Sequence, residues 1–372
     1  MKKVLILGAT GSIGKSSVEI LRSEKEKFTV CGLTSFSKRD ELESLGKEFN
    51  CPTTLVSEEG ADSIKRLIDK TKPDIVINGI AGSAGLLPSV FVLEAGINLA
   101  LANKESVVMA WPVISGIAKK TGSQILPVDS EHSAVFTLIN KFGKANLDKI
   151  IITASGGPFR TFPPEKLLTV TVNDALKHPT WNMGKKITID SATLGNKGLE
   201  VIEACRLFDA KPADIQVVIH PQSVVHSLIR TKDGIVYAQL SEPDMKHPIL
   251  QALEWPEITG NFMRPFDLTD ELILGIEGKR TLTFERPRFK DFPMLSIAYM
   301  AAEKNKSFTI AYNAANEVAV QAFIDGRLSF PGISETVGKV LSSDWSGEVR
   351  DLKDVFEADK KARECAESFC CK

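Results

Sequence analysis

A glycine-rich turn stands close to the start of the chain, between a short apolar run and an amphipathic segment. The sequence VLILGATGSIGKSSVEIL places glycines at positions 8, 11 and 14. In a strand-to-helix turn the first glycine permits the tight turn, the second lets the backbone approach a pyrophosphate, and the third lets helix and strand pack closely. The helix start also offers unpaired N–H groups and partial positive charge to phosphates. The spacing GxxGxxG in this context predicts dinucleotide binding, and the alternative is a tight turn in a Rossmann-like domain that holds no cofactor.

Short apolar runs alternate with segments of helical spacing up to about residue 128. Strands that are apolar throughout and separated by helices indicate a parallel sheet covered on both faces. The fold class predicted is therefore α/β, with an N-terminal Rossmann-type, doubly wound domain over residues 1–128. The predicted strands are residues 4–8, 28–33, 53–56, 74–79, 97–102 and 124–128.

The pattern changes after residue 128. Residues 129–264 combine longer β-like runs, at 149–155, 215–220 and 235–240, with loops rich in glycine and proline. This composition predicts a central, substrate-binding α+β domain over residues 129–264. Residues 265–290 are predicted to form an extended linker, and residues 291–372, with three segments of helical spacing, to form a C-terminal helical bundle.

The end of the second predicted strand distinguishes between the two nicotinamide dinucleotides. NAD enzymes usually carry an Asp or Glu there to hold the ribose 2′-hydroxyl. Residues 34–39 read TSFSKR, with no carboxylate before Asp40. Hydroxyl groups together with Lys38 and Arg39 suit a 2′-phosphate, so the sequence favours NADP(H). The alternative is a solvated helix start at the two cations.

Carboxylates stand where a doubly wound sheet binds its ligands, at the carboxyl end of a predicted strand. Asp129 and Glu131 follow residues 124–128, and in an extended chain their side chains would point to the same face and could share one hard cation. Farther along, Asn196 and Lys197 are expected in a turn before a helix, with Glu200 on its first turn and on the same face as Asn196. The alternatives are a solvated strand end and a capped surface helix whose glutamate complements the helix dipole.

Two further segments offer groups for an anionic substrate. Ser155 and the two glycines after it resemble a small anion-binding turn. The loop of residues 178–184 combines His178 with Trp181 and could close over a substrate and exclude water. The alternatives are an exposed loop histidine and a core tryptophan. Ser191 adds a hydroxyl close to Asn196 and Lys197, so that these groups could grip a phosphorylated polyol together with a metal.

Composition excludes several classes of protein. The formal net charge of −1 gives no general attraction to nucleic acid or to an anionic membrane. No apolar run reaches the roughly 18 residues of a transmembrane helix. The apolar stretch at the start covers only residues 4–7 and leads into the glycine turn rather than a cleavage site, so a cytoplasmic location is expected.

Taken together, these motifs resemble the 1-deoxy-D-xylulose 5-phosphate reductoisomerase family. The matching strings occur in the family's order and span nearly the whole chain, and the one at 178–200 is long and unusual. They are GATGSIG (8–14), LANKES (101–106), PVDSEHSA (127–134), TASGGPFR (153–160), HPTWNMGKKITIDSATLGNKGLE (178–200), HPQSVVHS (220–227) and NAANEVAV (313–320).

The resemblance implies roles for individual residues of the catalytic region. The ligands of Mg²⁺ or Mn²⁺, with Co²⁺ as a further possibility, would be Asp129, Glu131 and Glu200. The groups around the substrate and its phosphate would be Ser130, Glu131, Ser155, His178, Trp181, Ser191, Asn196, Lys197 and Glu200. Of these, the metal ligands, Lys197 and His178 would carry the catalysis, and Trp181 would cover the substrate from a mobile flap.

The resemblance also implies a set of NADPH contacts. They are Thr10, Gly11, Ser12, Ile13, Ser37, Lys38, Asn103, Lys104, Glu105, Gly184 and, lining the nicotinamide region, Met245. One departure stands at the 2′-phosphate, where the family often shows a Gly-Lys-Asn-like turn and this chain reads Phe36-Ser37-Lys38. The positive charge that a 2′-phosphate requires is still present at this turn.

The implied activity is the rearrangement of a phosphorylated α-hydroxy ketone to a branched aldehyde, which NADPH reduces to 2-C-methyl-D-erythritol 4-phosphate. The family is also expected to form a homodimer. Two alternatives stay open: an NADP-dependent dehydrogenase of the homoserine or semialdehyde type, and a non-catalytic NADP(H)-binding protein. Neither explains why carboxylates and phosphate-binding groups should occur together downstream of the glycine turn.

Overall fold

The structure is a computed structural model and describes residues 1–181, 183–269 and 281–370. The middle of the predicted linker, residues 270–280, lies outside the described residues. The described chain has two β-sheets, with helices on both faces of the first and a group of helices at the carboxyl-terminal end. It is therefore a mixed α/β protein with a Rossmann-type sheet, as the sequence predicts.

The first sheet has six parallel strands in the order β3-β2-β1-β4-β5-β6. This is the doubly wound order that places a ligand crevice where the strand order reverses, beside β1. All six strands predicted over residues 1–128 are confirmed. They are β1 (Lys2–Leu7), β2 (Phe28–Ser35), β3 (Thr53–Leu55), β4 (Ile75–Asn78), β5 (Asn98–Leu101) and β6 (Ile125–Pro127).

The first strand shows why its sequence is apolar throughout. Successive side chains of a strand point to opposite faces of the sheet, and here both faces are covered by helices. Val4 and Ile6 lie in one apolar cluster, whereas Leu5 and Leu7 lie in the cluster on the other face. The first of these clusters also contains residues of Lys246–Glu254, a helix from the predicted central region. The glycine turn is thus held at the end of a strand that is buried on both sides.

The second sheet has four strands in the order β10-β9-β7-β8, with β7 and β8 parallel and β9 antiparallel to its neighbours. Three of these strands were predicted, and the omission of β9 was wrong. Its sequence VHSLIRT carries histidine, serine and arginine without regular alternation, because the strand lies in the middle of the sheet and is buried on both faces. The strands are β7 (Leu147–Ala154), β8 (Ile215–Ile219), β9 (Val225–Thr231) and β10 (Val236–Leu240).

The helices of the first two regions connect and cover these sheets. Single 3₁₀ turns occur at residues 83–85, 144–146 and 212–214. The helices are α1 (Ser12–Ser23), α2 (Arg39–Phe49), α3 (Val56–Glu59), α4 (Asp62–Thr71), α5 (Leu86–Glu94), α6 (Lys104–Thr121), α7 (Ser130–Phe142), α8 (Pro164–Leu167), α9 (Val172–Ala175), α10 (Lys185–Thr193), α11 (Gly195–Leu207) and α12 (Lys246–Glu254).

The carboxyl-terminal region is helical, as predicted. Its central helix, α14 (Phe308–Ile324), is buried on nearly every side. The last helix, α16, was not predicted. Its sequence is strongly charged, and the stripe that packs inward consists of Val355, Ala362, Ala366 and Cys370, mostly small side chains that give a weak apolar signal. The helices are α13 (Met294–Lys304), α14 (Phe308–Ile324), α15 (Phe330–Leu341) and α16 (Leu352–Cys370).

Candidate active site

The glycine turn at the end of β1 has the form that a dinucleotide phosphate requires. Gly11 is the residue before α1, so the N–H groups of Ser12 and Ile13 at the helix start are available to an anion. The Thr10 hydroxyl lies 2.7 Å from that of Ser35 on β2. The Lys38 ammonium donates to the carbonyl oxygen of Thr10 at 3.4 Å, which brings a positive charge to the turn.

The first turn of α6 fixes the second predicted group of cofactor residues. Asn103 caps this helix by accepting from the Ser106 N–H at 3.1 Å, and its amide donates to the carbonyl oxygens of Ile80 and Gly82 at 2.8 Å. The helix start is thereby tied to the loop after β4. The side chain of Lys104 does not stay in this region: its ammonium lies 2.6 Å from Asp129 and 3.0 Å from Glu200. It is buried at the centre of the carboxylate group.

The three predicted metal ligands converge. Carboxylate oxygens of Asp129, Glu131 and Glu200 lie within 4.8 Å of one another, a separation that one cation can span. Two ammonium groups lie among these carboxylates. One is that of Lys104, and the other is that of Lys197, which lies 2.6 Å from Glu131 and contacts the Glu200 oxygen that Lys104 does not. The three carboxylates and the two ammonium groups therefore form one contiguous cluster of charged groups.

The titration of these carboxylates shows the same crowding. Burial and the neighbouring Glu200 raise the pKa of Glu131 to about 7, although Lys197 opposes the shift. Burial also opposes ionisation of Asp129, but Lys104 and His132 outweigh it and hold the pKa of Asp129 well below its usual range. Burial and the neighbouring carboxylate therefore disfavour the ionised form of Glu131, and a bound divalent cation would favour it.

Local structure at the carboxylates differs from the prediction in two places. Asp129 and Glu131 do not lie on an extended chain: Asp129 caps α7 by accepting from the Glu131 N–H at 3.3 Å, and Glu131 lies in the first turn. The apolar strand ends one residue earlier than expected, so the two carboxylates meet through a helix start. Helix α11 begins at Gly195, so Asn196 and Lys197 lie on its first turn and Glu200 follows on the next.

The contact predicted from the spacing of Asn196 and Glu200 is confirmed. The Asn196 amide donates to Glu200 at 2.5 Å, and its oxygen accepts from the Lys104 ammonium at 2.8 Å. The Ser130 hydroxyl donates to Glu131 at 2.7 Å. Lys197, Asn196 and Ser130 therefore surround the carboxylates in this structure.

A second group of side chains brings together Ser155, His178 and Ser191. The His178 Nε2 atom lies 3.0 Å from the Ser155 hydroxyl and 3.1 Å from that of Ser191. Its Nδ1 atom accepts from the backbone N–H groups of Thr180 and Trp181, so this nitrogen carries no proton and Nε2–H is the donor. The serine oxygens accept from the imidazole, and their own hydrogens remain to be donated elsewhere. One imidazole N–H and two serine hydroxyls thus lie within hydrogen-bonding distance of one another, and neutral donors of this kind can bind an anion.

The second glycine after Ser155 explains how the side chains of Ser155, His178 and Ser191 come so close. Gly157 has a φ of +66°, and a Cβ atom on it would lie 2.8 Å from the Ser191 carbonyl oxygen. Its N–H donates to the Ser155 hydroxyl at 3.2 Å. Only a residue without a side chain lets the turn pack against α10 at this distance. A cleft of ≈ 370 Å³ opens beside Ser155 and is lined in part by Lys177 and Pro179.

The remaining predicted residues lie around these two groups. Trp181 is partly buried, with its ring centroid 6.4 Å from that of His226. Gly184 is the residue before α10, and Met245 is the residue before α12. Met245 packs on the same apolar cluster as Ile13 of the glycine turn. Ser37 follows the exposed Phe36 at the end of β2.

Comparison with known proteins assigns the chain to a family. The model described as 1-deoxy-D-xylulose 5-phosphate reductoisomerase matches residues 4–60 and 53–111. The models of its C-terminal domains match residues 125–208 and 240–365. The 1-deoxy-D-xylulose 5-phosphate reductoisomerase of Treponema denticola is 47% identical over 98% of this chain and 96% of its own length. The chain belongs to the 1-deoxy-D-xylulose 5-phosphate reductoisomerase family.

Other reductoisomerases agree in sequence and in structure. That of Treponema pallidum is 43% identical over 98% of this chain and 96% of its own length. A crystal structure of DOX-P reductoisomerase in complex with NADPH, fosmidomycin and magnesium superposes with a TM-score of 0.89 at 37% identity, covering 100% of this chain and 98% of that one. The Zymomonas mobilis reductoisomerase in complex with NADPH gives 0.89 at 34% identity, with 99% of both chains covered.

Sequence reasoning did not single out two residues that support the reductoisomerase carboxylates. The buried His132 contacts Asp129 at 3.2 Å and Glu203 at 3.4 Å through Nδ1, and its Nε2 donates to the Glu200 carbonyl oxygen at 3.0 Å. Burial opposes protonation, but the two carboxylates outweigh it and raise the pKa of His132 to about 9. The spacing was visible, because residues 129 and 132 and residues 200 and 203 are each three apart on a helix.

Proposed function

We propose that this chain catalyses the NADPH-dependent rearrangement and reduction of 1-deoxy-D-xylulose 5-phosphate to 2-C-methyl-D-erythritol 4-phosphate, a step in the biosynthesis of isoprenoid precursors. The observation that carries the proposal is the convergence of Asp129, Glu131 and Glu200 within 4.8 Å on a chain whose first sheet has the dinucleotide-binding order. The homoserine- or semialdehyde-type dehydrogenase and the non-catalytic NADP(H)-binding protein are not favoured, since the family matches extend through the carboxylate region.

The donor set fits a hard divalent cation. All three proposed ligands, Asp129, Glu131 and Glu200, are carboxylate oxygens, which Mg²⁺ and Mn²⁺ prefer, and Co²⁺ is compatible with the same set. Burial and the neighbouring Glu200 raise the pKa of Glu131, and a cation bound there would favour its ionised form. Such a cation supplies Lewis-acid polarisation of the ketone and the adjacent hydroxyl and holds both in place.

The chain's own residues bind and orient the substrate around that cation. Lys197, Asn196 and Ser130 lie against the carboxylates and are proposed to contact the substrate there. Ser155, His178 and Ser191 are proposed to bind the phosphate, as three neighbouring groups that carry no charge of their own in the neutral imidazole state. Binding energy from the phosphate holds the reacting carbons in register with the carboxylate group. Trp181 is proposed to cover the substrate and exclude water.

The nucleotide is proposed to lie along the carboxyl end of the first sheet. The helix start after Gly11 takes the pyrophosphate, and Lys38 with Ser37 takes the 2′-phosphate. The residues proposed to direct the nicotinamide toward the carboxylates are Asn103, Lys104, Glu105, Gly184 and Met245. NADPH supplies the hydride for the aldehyde.

A direct assay tests the proposed reaction. With 1-deoxy-D-xylulose 5-phosphate and Mg²⁺ or Mn²⁺ present, NADPH absorbance at 340 nm is expected to fall. EDTA is expected to stop the decrease, because it removes the cation that the three carboxylates hold against the ketone. Restoring the cation in excess serves as the control. A decrease that is insensitive to EDTA, or an equal decrease when a semialdehyde replaces the sugar phosphate, would refute the proposed reaction.

The titration of His178 provides a second test. Burial lowers the pKa of this imidazole from 6.5 to about 4, so the unfolded chain binds a proton between these pH values and the folded chain does not. The contribution of His178 to stability is therefore fully present above pH 6.5 and is lost as the pH falls toward 4. We expect an NMR titration midpoint near 4 that rises when inorganic phosphate is added, because an anion stabilises imidazolium.

Assignment of the His178 signal uses the spectrum of a His178→Gln variant, since burial also lowers the pKa of His226 to about 4. His226 stands as the internal control, because its Nε2 contacts Ser241 rather than the serines of the phosphate group. A His178 midpoint close to 6.5 that does not respond to phosphate would contradict the proposed anion site.

Assembly and location complete the proposal. No helix among the described residues is long and apolar enough to span a bilayer. A small phosphorylated sugar is the proposed partner of the site, and a homodimer and a cytoplasmic location are proposed from the family resemblance. No role is proposed for nucleic acid or for a membrane, in keeping with a net charge of −1.

A further inference from the structure

A second buried polar group lies between the cofactor segment and the helix that carries Ser191. The Lys186 ammonium lies 3.0 Å from Glu105 and 2.9 Å from Asp190. Glu105 accepts in turn from the Asn103 amide at 3.0 Å, and the Asn316 amide of α14 donates to Asp190 at 2.8 Å. The five side chains form one continuous chain of contacts from α6 through α10 to α14. None of the residues proposed to bind the substrate's phosphate or the metal belongs to it.

The charges on α10 oppose what the helix itself would favour. A helix is stabilised by acidic residues in its first turn and basic residues in its last, whereas α10 begins with Lys185 and Lys186 and has no acidic residue in its first turn. The pair Lys186–Asp190 is also in the less favourable order for an i,i+4 ion pair. The stability of α10 alone does not account for a lysine at position 186; the contact across to Glu105 does.

Stability of the whole chain is an equally weak explanation. Lys186 has 26% of its side chain exposed, against 9% for Glu105 and 1% for Asp190, so one ammonium serves two buried carboxylates. Taking such a group out of water costs more than a well-packed apolar contact of similar volume. What the arrangement does provide is a fixed direction for each side chain, because each ionised group has a defined partner.

The position of the group relates it to the reaction. Glu105 follows Lys104, whose ammonium enters the carboxylate group, and Asp190 precedes Ser191, which contacts His178. Resting on the proposed function, we infer that Lys186 is a positioning residue: it spaces the NADPH-binding first turn of α6 from the phosphate-binding helix α10, and so sets the distance between hydride donor and substrate. Lys186 contacts Glu105 and Asp190, and it is inferred to act through them.

The variant Lys186→Met tests this inference, with Lys185→Met as the matched control, since Lys185 is the exposed neighbour on the same helix turn. We expect Lys186→Met to lower kcat about 10²-fold, the loss typical of a misplaced reacting pair, with a smaller change in the KM for the sugar phosphate. NADPH fluorescence without substrate or metal should show about tenfold weaker binding, because Glu105 and the first turn of α6 lose the charged partner that holds them in place. Lys185→Met should match the wild type in both.

The isotope effect separates positioning from a structural role. With NADPH deuterated at the transferred position, Lys186→Met is expected to show a larger primary effect on kcat than the wild type, because a misplaced hydride makes that step limiting. Lys186→Arg, whose guanidinium can still bridge Glu105 and Asp190, should recover most of kcat and the wild-type isotope effect. If Lys186→Met does not fold, as thermal unfolding would show, Lys186→Gln takes its place with the same expectation at smaller size.

Wild-type kcat, NADPH affinity and isotope effect in Lys186→Met would overturn the inference. So would a reduced kcat with an unchanged isotope effect that Lys186→Arg fails to restore, since that pattern describes a loss of folded protein. An inactive wild type together with an inactive Lys185→Met would refute the proposed function instead, and the NADPH fluorescence of the same samples would distinguish the two failures.

Discussion

Glu200→Gln is expected to abolish turnover while NADPH binding stays nearly intact. Glu200 lies at the centre of the carboxylate group, with its oxygens on Lys104, Lys197 and Asn196. The amide keeps the shape of the side chain but removes one of three negative charges, so the site holds a divalent cation less tightly and polarises the ketone less. A cation contributes several kcal/mol to such a transition state, which corresponds to a loss of at least about 10³-fold in kcat/KM.

Two measurements make this result specific. NADPH affinity from fluorescence should remain within about threefold of the wild type, because the side-chain partners of Glu200 are Lys104, Lys197 and Asn196 rather than residues of the glycine turn. Glu203→Gln on the same helix gives a matched comparison, because Glu203 contacts His132 and is not one of the three proposed metal ligands. Loss of such a supporting partner lowers activity about 10–100-fold. Full activity of Glu200→Gln, or equal losses in the two variants, would refute the assignment of Glu200 as a metal ligand.

The fold could be predicted where sequence periodicity and burial agree. Each strand of the first sheet is buried on both faces and separated by helical segments, so its apolar run is distinct. Strand β9 and helix α16 were missed because their burial depends on what packs against them: β9 buries polar side chains in mid-sheet, and α16 buries mostly small side chains. Neither pattern differs enough from a loop or a solvated helix to be recognised without the neighbouring elements.

The chemistry of the site could be predicted further than its geometry. Carboxylates at a strand end suggested a cation site, and Asp129, Glu131 and Glu200 do converge. The local conformation was wrong at two helix starts, because a capping aspartate and an extended one have the same sequence signal. Contacts over long sequence distance, such as Lys104 with Glu200 or Lys186 with Glu105, were beyond reach, since they depend on how the two sheets and their helices pack.

Gly14→Ala is expected to disable the cofactor site more severely than its single methyl group suggests. A Cβ atom at this position would lie 2.3 Å from the Gly8 carbonyl oxygen and 2.4 Å from the backbone carbon and oxygen of Ala9. These are backbone atoms of the turn and cannot rotate away as a side chain can. Either the turn moves or α1 shifts outward, and both displace the N–H groups that would face the pyrophosphate.

NADPH affinity is expected to fall, with kcat/KM for NADPH lower by about 10²-fold, as for other displacements of about an ångström. The free energy of unfolding is expected to fall by about 1–3 kcal/mol, as for overpacking elsewhere. Gly116→Ala is the control, because Gly116 lies in α6 and a methyl group added there would meet no atom within 4 Å, so the same change should raise helix stability slightly. Denaturant unfolding and NADPH fluorescence measure both. Wild-type NADPH binding by Gly14→Ala would contradict this prediction. It would mean that the close approach of α1 to the turn does not determine the geometry of the phosphate site.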